Sequence, residues 1–138
     1  MSNQSSWVGV DLDGTLAVYD GWKGINHIGR PVLRVMTYVK QLLAYGVDVR
    51  IFTARCQEGQ EAIDYINLWT VKTFGQVLPV TDRKDFGMVM MIDDRAFRVN
   101  ANEGTPGDST LPLPKQIAKD IVWHWSVDNP HSPTFVEK

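Results

Sequence analysis

Asp11 and Asp13 stand one residue apart in VGVDLDGTLAVYDG, residues 8–21, where a short apolar run ends. A second acidic pair, Asp93 and Asp94, closes the apolar run MVMMI. Thr53 and Arg55 follow a third such run, and Lys84 lies in the polar stretch DRKD. Carboxylates brought close together cannot all stay ionised without compensation. A hard divalent cation supplies it, and oxygen donors from a few side chains suit Mg²⁺, which keeps several waters and completes its shell with substrate phosphate. Asp11 and Asp94 are the expected side-chain ligands, with Asp93 beside them. The Thr53 hydroxyl and the Lys84 ammonium suit the non-bridging oxygens of a phosphoryl group, whose developing charge must be stabilised. An aspartate also serves as a nucleophile through an aspartyl-phosphate. Asp13 is then placed to protonate the leaving oxygen and to activate water. Residues i and i+2 of an extended segment point the same way, so one strand end can carry both acids. Gly14 lets the backbone turn sharply behind them.

Such a set works only if separate elements deliver it to one place. Residues 7–10 read as a first strand. Val32, Val35, Met36, Val39, Leu42 and Leu43 trace one face of a helix that opens near Pro31 and stops at Gly46. Residues 47–53, VDVRIFT, form a β-branched strand. Ala62, Ile63, Ile66, Trp69 and Phe74 line a second helical face ending at Gly75. Residues 76–80 and 88–92 read as strands, with Pro79 suited to a strand end, and 97–99 as a further short one. A last helix behind Pro112 and Pro114 has the face Ile117, Ala118, Ile121, Val122 and Trp125. Residues 100–114 form a loop, and 128–138 a tail. Strands alternating with helices predict a parallel sheet, a Rossmann-like three-layer α/β/α sandwich in one domain with its core over residues 7–127. Ligands of such sheets sit beyond the carboxyl ends of the strands. Asp11, Asp13, Thr53, Arg55, Lys84, Asp93 and Asp94 all follow those ends.

In this order, DLDGTL, IFTAR, Lys84 and MIDDRA resemble the four motifs of the haloacid dehalogenase-like (HAD) superfamily of phosphohydrolases. The motifs fall within residues 7–98, about two-thirds of the chain. The resemblance implies Asp11 as nucleophile and Asp13 as general acid and base, with Lys84 completing the catalytic set. It implies Mg²⁺ held by Asp11, Asp94 and Asp93 and by the backbone carbonyl of Asp13. Gly14, Thr53, Ala54 and Arg55 are the substrate-binding positions that go with it. The run DRKDFGMVMMIDDRAFRV is similar to the 3′-phosphatase domain of phage polynucleotide kinase, whose second motif also carries an Arg two residues past its hydroxyl residue. The chain departs from that enzyme in lacking a Gly-rich Walker loop, which excludes kinase activity. It also has only three residues between Lys84 and Met88, too few for a helix.

HAD enzymes usually take specificity from an inserted cap. Fifteen residues separate Thr15 from Pro31, and one helix and one strand separate Arg55 from Lys84, so neither interval holds a cap domain. The expected site is open, with residues 19–30 as a small flap. The expected partner is a phosphorylated small molecule or nucleotide. A nucleic-acid end is the alternative, which a formal net charge of −2 does not favour. A non-catalytic Mg²⁺- and phosphate-binding module is the rival from another class, and it need not keep both nucleophile and acid. The single cysteine, Cys56, excludes an intramolecular disulfide and any Cys-based zinc knuckle. No apolar run approaches the length of a membrane span. These features predict a cytoplasmic protein, with nothing that sets an oligomeric state.

Overall fold

In the computed structural model of the chain, residues 6–107, 112–124, 126 and 129 are described. Four parallel strands, β1 (Trp7–Asp11), β2 (Asp48–Phe52), β3 (Val80–Thr81) and β4 (Met88–Ile92), lie in the order β3-β2-β1-β4. Helix α1 (Leu33–Ala44) connects β1 to β2, and α2 (Gln60–Phe74) connects β2 to β3 behind a 3-10 turn, Ala54–Glu58. The helix α3 spans Pro114–His124. This is the α/β, Rossmann-like arrangement that the alternating pattern predicts. The chain divides into two compact units, Met1–Asp94 and Arg95–Lys138. The sheet, α1 and α2 belong to the first, and α3 to the second.

Both crossover helices pack on one face of the sheet. Val10 of β1 and Val49 and Ile51 of β2 share a buried cluster with Val39 of α1 and Ile66 of α2. Period-two alternation sends these strand residues to one side. Two successive right-handed crossovers that advance in the same direction, β1 to β2 to β3, put their helices there. Helix α1 ends as its glycine foretells. Gly46 adopts φ 80°, its N–H donates to the Leu43 carbonyl, and Val47 N–H donates to that of Leu42. This paired closure satisfies two orphan carbonyls of the last turn.

The opposite face carries a different element. Six residues, 82–87, take the chain from the carboxyl end of β3 past β2 and β1 to the amino end of β4. The Trp7 indole N–H donates to Asp85 at 2.7 Å, Gly87 N–H donates to the same oxygen at 2.8 Å, and the Arg50 guanidinium lies 4.6 Å from the centroid of a Trp7 ring. Asp85 therefore fastens the amino side of the sheet, away from the strand ends that carry Asp11 and Asp94. The indole hydrogen bond holds its carboxyl below the usual carboxylate range.

Two sequence expectations are corrected. The strand expected over 76–80 is confined to Val80–Thr81, because Pro79 has no N–H for a ladder. Residues 97–99 form no strand; Val99 makes one isolated bridge, to Pro106. The Trp125 position and most of the expected tail lie outside the described residues. Ile51 is fully buried in the cluster between sheet and helices. Ile51→Ala is expected to cost about 2–5 kcal/mol by transfer and cavity terms together, measured by urea unfolding at unchanged m-value.

Candidate active site at the carboxyl ends of β1, β2 and β4

β1 is central and pairs with both β2 and β4, with Asp11 opposite Phe52 and Val10 opposite Ile92. This register alone brings Thr53, one residue past Phe52, and the Asp93–Asp94 pair, just past Ile92, beside Asp11. Carboxylate oxygens of Asp11, Asp93 and Asp94 all lie within 4.8 Å of one another. Burial pushes the Asp11 carboxyl up to about 7; a hydrogen bond with Asp94 and the negative charges of Asp93 and Asp94 add to the shift. The donor set is three convergent carboxylates with no cation of the protein against Asp11 or Asp94 among the described contacts. An oxygen-seeking divalent ion fits that set.

Thr15 holds the cluster together, and sequence reasoning did not single it out. Its hydroxyl donates to Asp94 Oδ1 at 2.8 Å, with Asp11 Oδ2 at 3.3 Å, and it accepts the Asp94 N–H at 2.9 Å. The buried hydroxyl thus ties the turn after β1 to the end of β4. Its signal was the Thr of DLDGT, four residues after Asp11. Gly14 has φ 88°, and a Cβ there would stand 2.8 Å from Asp94 Oδ2. The glycine earns its place by letting the Asp94 carboxylate close on the turn.

Asp13 does not join the carboxylate cluster through its side chain. The Arg55 guanidinium grips it in bidentate fashion, Nε to Oδ2 at 2.7 Å and Nη2 to Oδ1 at 2.8 Å. Nη2 also donates to the His27 carbonyl at 2.9 Å, and the guanidinium carbon lies 4.8 Å from the Trp22 ring centroid. Arg55 is only 5% exposed, and its Nη1 is buried without a hydrogen-bond partner. An orphaned donor costs about 1–3 kcal/mol. Removing one partner of a buried ion pair leaves an uncompensated charge and costs about 3–5 kcal/mol. By contrast Lys23, which pairs with Asp20 at 3.1 Å, is an exposed contact that solvent screens.

Thr53 is buried and caps the 3-10 turn, its Oγ accepting the Arg55 N–H at 3.1 Å. Its hydroxyl proton is left for another acceptor. Ala54 opens that turn beside it. Lys84 is exposed on the 82–87 link and forms no ion pair with Asp11, Asp93 or Asp94 among the described residues. Asp82 is exposed as well. Cys56 lies in the 3-10 turn, where burial pushes its thiol up, the opposite of an activated nucleophile.

The flap residues 19–30 contain no strand or helix, and their base is pinned. Val18 N–H donates to the Arg30 carbonyl at 2.8 Å, and the Trp69 indole of α2 donates to the Gly29 carbonyl at 3.0 Å. Among the described residues neither this interval nor that between β2 and β3 holds an added domain.

No family model matches the chain, and no curated protein matches it in sequence. A solved structure of a conserved protein from Bacteroides thetaiotaomicron is similar in fold, with a TM-score of 0.51 and 17% identity over 93% of this chain and 98% of that one. At that identity the likeness concerns the fold. No helix among the described residues is long and apolar enough to cross a membrane.

Two outcomes follow from the crowding. In metal-free protein Asp11 binds its proton more tightly folded than unfolded. Its contribution is therefore fully present below pH about 4 and is lost as pH rises through about 7. Asp11→Asn should melt higher than wild type at pH 8 in a chelator, by about 3–5 °C, with the gap closing at pH 4. Gly14→Ala should displace Asp94 and abolish any Mg²⁺-induced rise in melting temperature, whereas Gly24→Ala, also at positive φ but facing Asn26, should retain it.

Proposed function

We propose that the chain is a Mg²⁺-dependent phosphomonoester hydrolase in which Asp11 is the nucleophile. One observation carries this reading. A half-buried carboxyl at the end of the central strand, pushed up to about 7, shares a site with two further carboxylates. A buried threonine hydroxyl stands at the neighbouring strand end. The order of the motifs and their resemblance to the HAD superfamily support it.

Asp11, Asp93 and Asp94 would hold the ion, with the Asp13 carbonyl. A bound Mg²⁺ would neutralise their charge and offset the charge of the phosphoryl oxygens. The Asp11 carboxylate attacks phosphorus and forms an acyl-phosphate bond as the bond from phosphorus to the leaving oxygen breaks. One Asp13 oxygen, released from Arg55 and protonated from solvent as substrate binds, gives that proton to the leaving oxygen. It then takes a proton from water, which attacks the acyl phosphate and frees inorganic phosphate and the Asp11 carboxylate. Thr53 donates its free hydroxyl proton to a phosphoryl oxygen, and Lys84 pairs with another from the exposed link. With a short loop in place of a cap, the site admits a range of phosphomonoesters, nucleotides among them. A module that only bound phosphate would need neither Asp11 nor Asp13 as a reacting group.

Purified protein should hydrolyse an aryl phosphate with Mg²⁺ and stop in a chelator. Asp11→Asn, verified free of deamidation, should lower kcat by about 10³-fold or more. Asp13→Asn should be hurt far less with an activated phenol than with an alkyl phosphate, since a good leaving group needs little protonation. A panel including 3′- and 5′-phosphorylated nucleotides reads the substrate class. Wild-type protein silent on the whole panel, with Mg²⁺ bound, would leave the non-catalytic module as the better reading.

A further inference from the structure

We infer that Arg55 is a positioning residue for Asp13 and not a ligand of the phosphoryl group, and that the flap, through Trp22 and the His27 carbonyl, holds Arg55 to that task. The inference rests on the phosphohydrolase reading above and assigns a new role within its site.

Asp13 lies two residues beyond Asp11, one of three carboxylates that already repel each other. A fourth free carboxylate would turn toward the same cation and leave no group to serve the leaving oxygen. The Arg55 grip prevents this. Both oxygens of Asp13 are bonded to one planar guanidinium, at 2.7 and 2.8 Å, a geometry that fixes the plane of the carboxylate as well as its distance. Two contacts fix the guanidinium in turn, and a third fixes the backbone beneath it. Nη2 donates to the His27 carbonyl at 2.9 Å, the Trp22 ring covers the guanidinium carbon at 4.8 Å, and the Arg55 backbone N–H donates to Thr53 Oγ at 3.1 Å. Trp22 and His27 both belong to the 19–30 flap, whose base is anchored by Trp69.

A phosphate ligand would need its donors turned to the carboxyl-end opening. Here Nε and Nη2 are spent on Asp13 and His27, and Nη1 is buried. Arg55 thus separates the metal-binding acid from the proton-transferring one. During turnover one Asp13 oxygen must be released to reach the leaving group, so the pair loosens to a single bond on the same arginine.

The test is a kinetic double-mutant cycle at saturating Mg²⁺ on an aryl and an alkyl phosphate, using wild type, Arg55→Gln, Asp13→Asn and the double variant. Arg55→Gln should lower kcat by about 10-fold or more with KM little changed. Its loss should be larger on the alkyl phosphate. The double variant should be no worse than Asp13→Asn alone. Arg55→Lys, which keeps the charge but not the fork, should restore little of kcat, and Trp22→Ala should show the same leaving-group bias in weaker form. Melting curves screen each variant for folding. If Arg55→Gln is not folded at the assay temperature, Arg55→Lys and Trp22→Ala carry the test through the leaving-group bias. A raised KM with unchanged leaving-group dependence, or losses that multiply in the double variant, overturns the inference while leaving the hydrolase intact. No turnover by wild type overturns the hydrolase reading and this role with it.

Discussion

Three carboxylates from two neighbouring strands crowd into one site, and this crowding constrains everything around it. β1 is hydrogen-bonded on both sides, so its end is fixed by two ladders and Asp11 cannot drift from Asp93 and Asp94. The repulsion is built in by the register. A protein without a use for it would relieve it with one substitution. Here the sequence instead supplies devices that maintain it: a glycine whose missing Cβ admits Asp94, and a threonine hydroxyl shared between the two strand ends.

The second organising feature is the separation of Asp13 from that cluster. Two acids one residue apart begin with nearly the same surroundings, yet one meets carboxylates and the other a guanidinium. The difference arises from the 3-10 turn after β2, which aims Arg55 back across the central strand end, and from the flap that covers it. The fold thus delivers chemically distinct roles to near neighbours by giving each a partner from a different element.

Much of this was legible in the residues. Apolar runs ending in Asp, Thr or Asp-Asp marked the carboxyl ends of strands, and the 3.6-residue faces of α1 and α2 gave both crossovers. Gly46 and Gly75 ended the helices as expected. What was hidden depended on pairing. Strand order is a long-range property, and the short link 82–87, which sends Asp85 to the Trp7–Arg50 side, has no local signature. Thr15 was not singled out because its value lies in Asp94, far along the chain. Arg55 read as a substrate-binding position because Asp13 and Trp22 meet it only in the fold. β3 is short because Pro79 interrupts its ladder although Leu78 and Val80 pack with the core, whereas the apolar run at residues 97–99 makes one isolated bridge instead of a strand.

The account stands on Asp11 forming a covalent bond to phosphorus. Rapid acid quench of the wild-type protein and of Asp13→Asn during turnover of an aryl phosphate with Mg²⁺, followed by peptide mass spectrometry, reads that bond directly. The account predicts a phosphoryl group on Asp11, more of it in Asp13→Asn where water attack is slowed, and none in Asp11→Asn. Turnover at full rate with no phosphoryl group on Asp11 at any quench time, or with the group trapped on another residue, would contradict it.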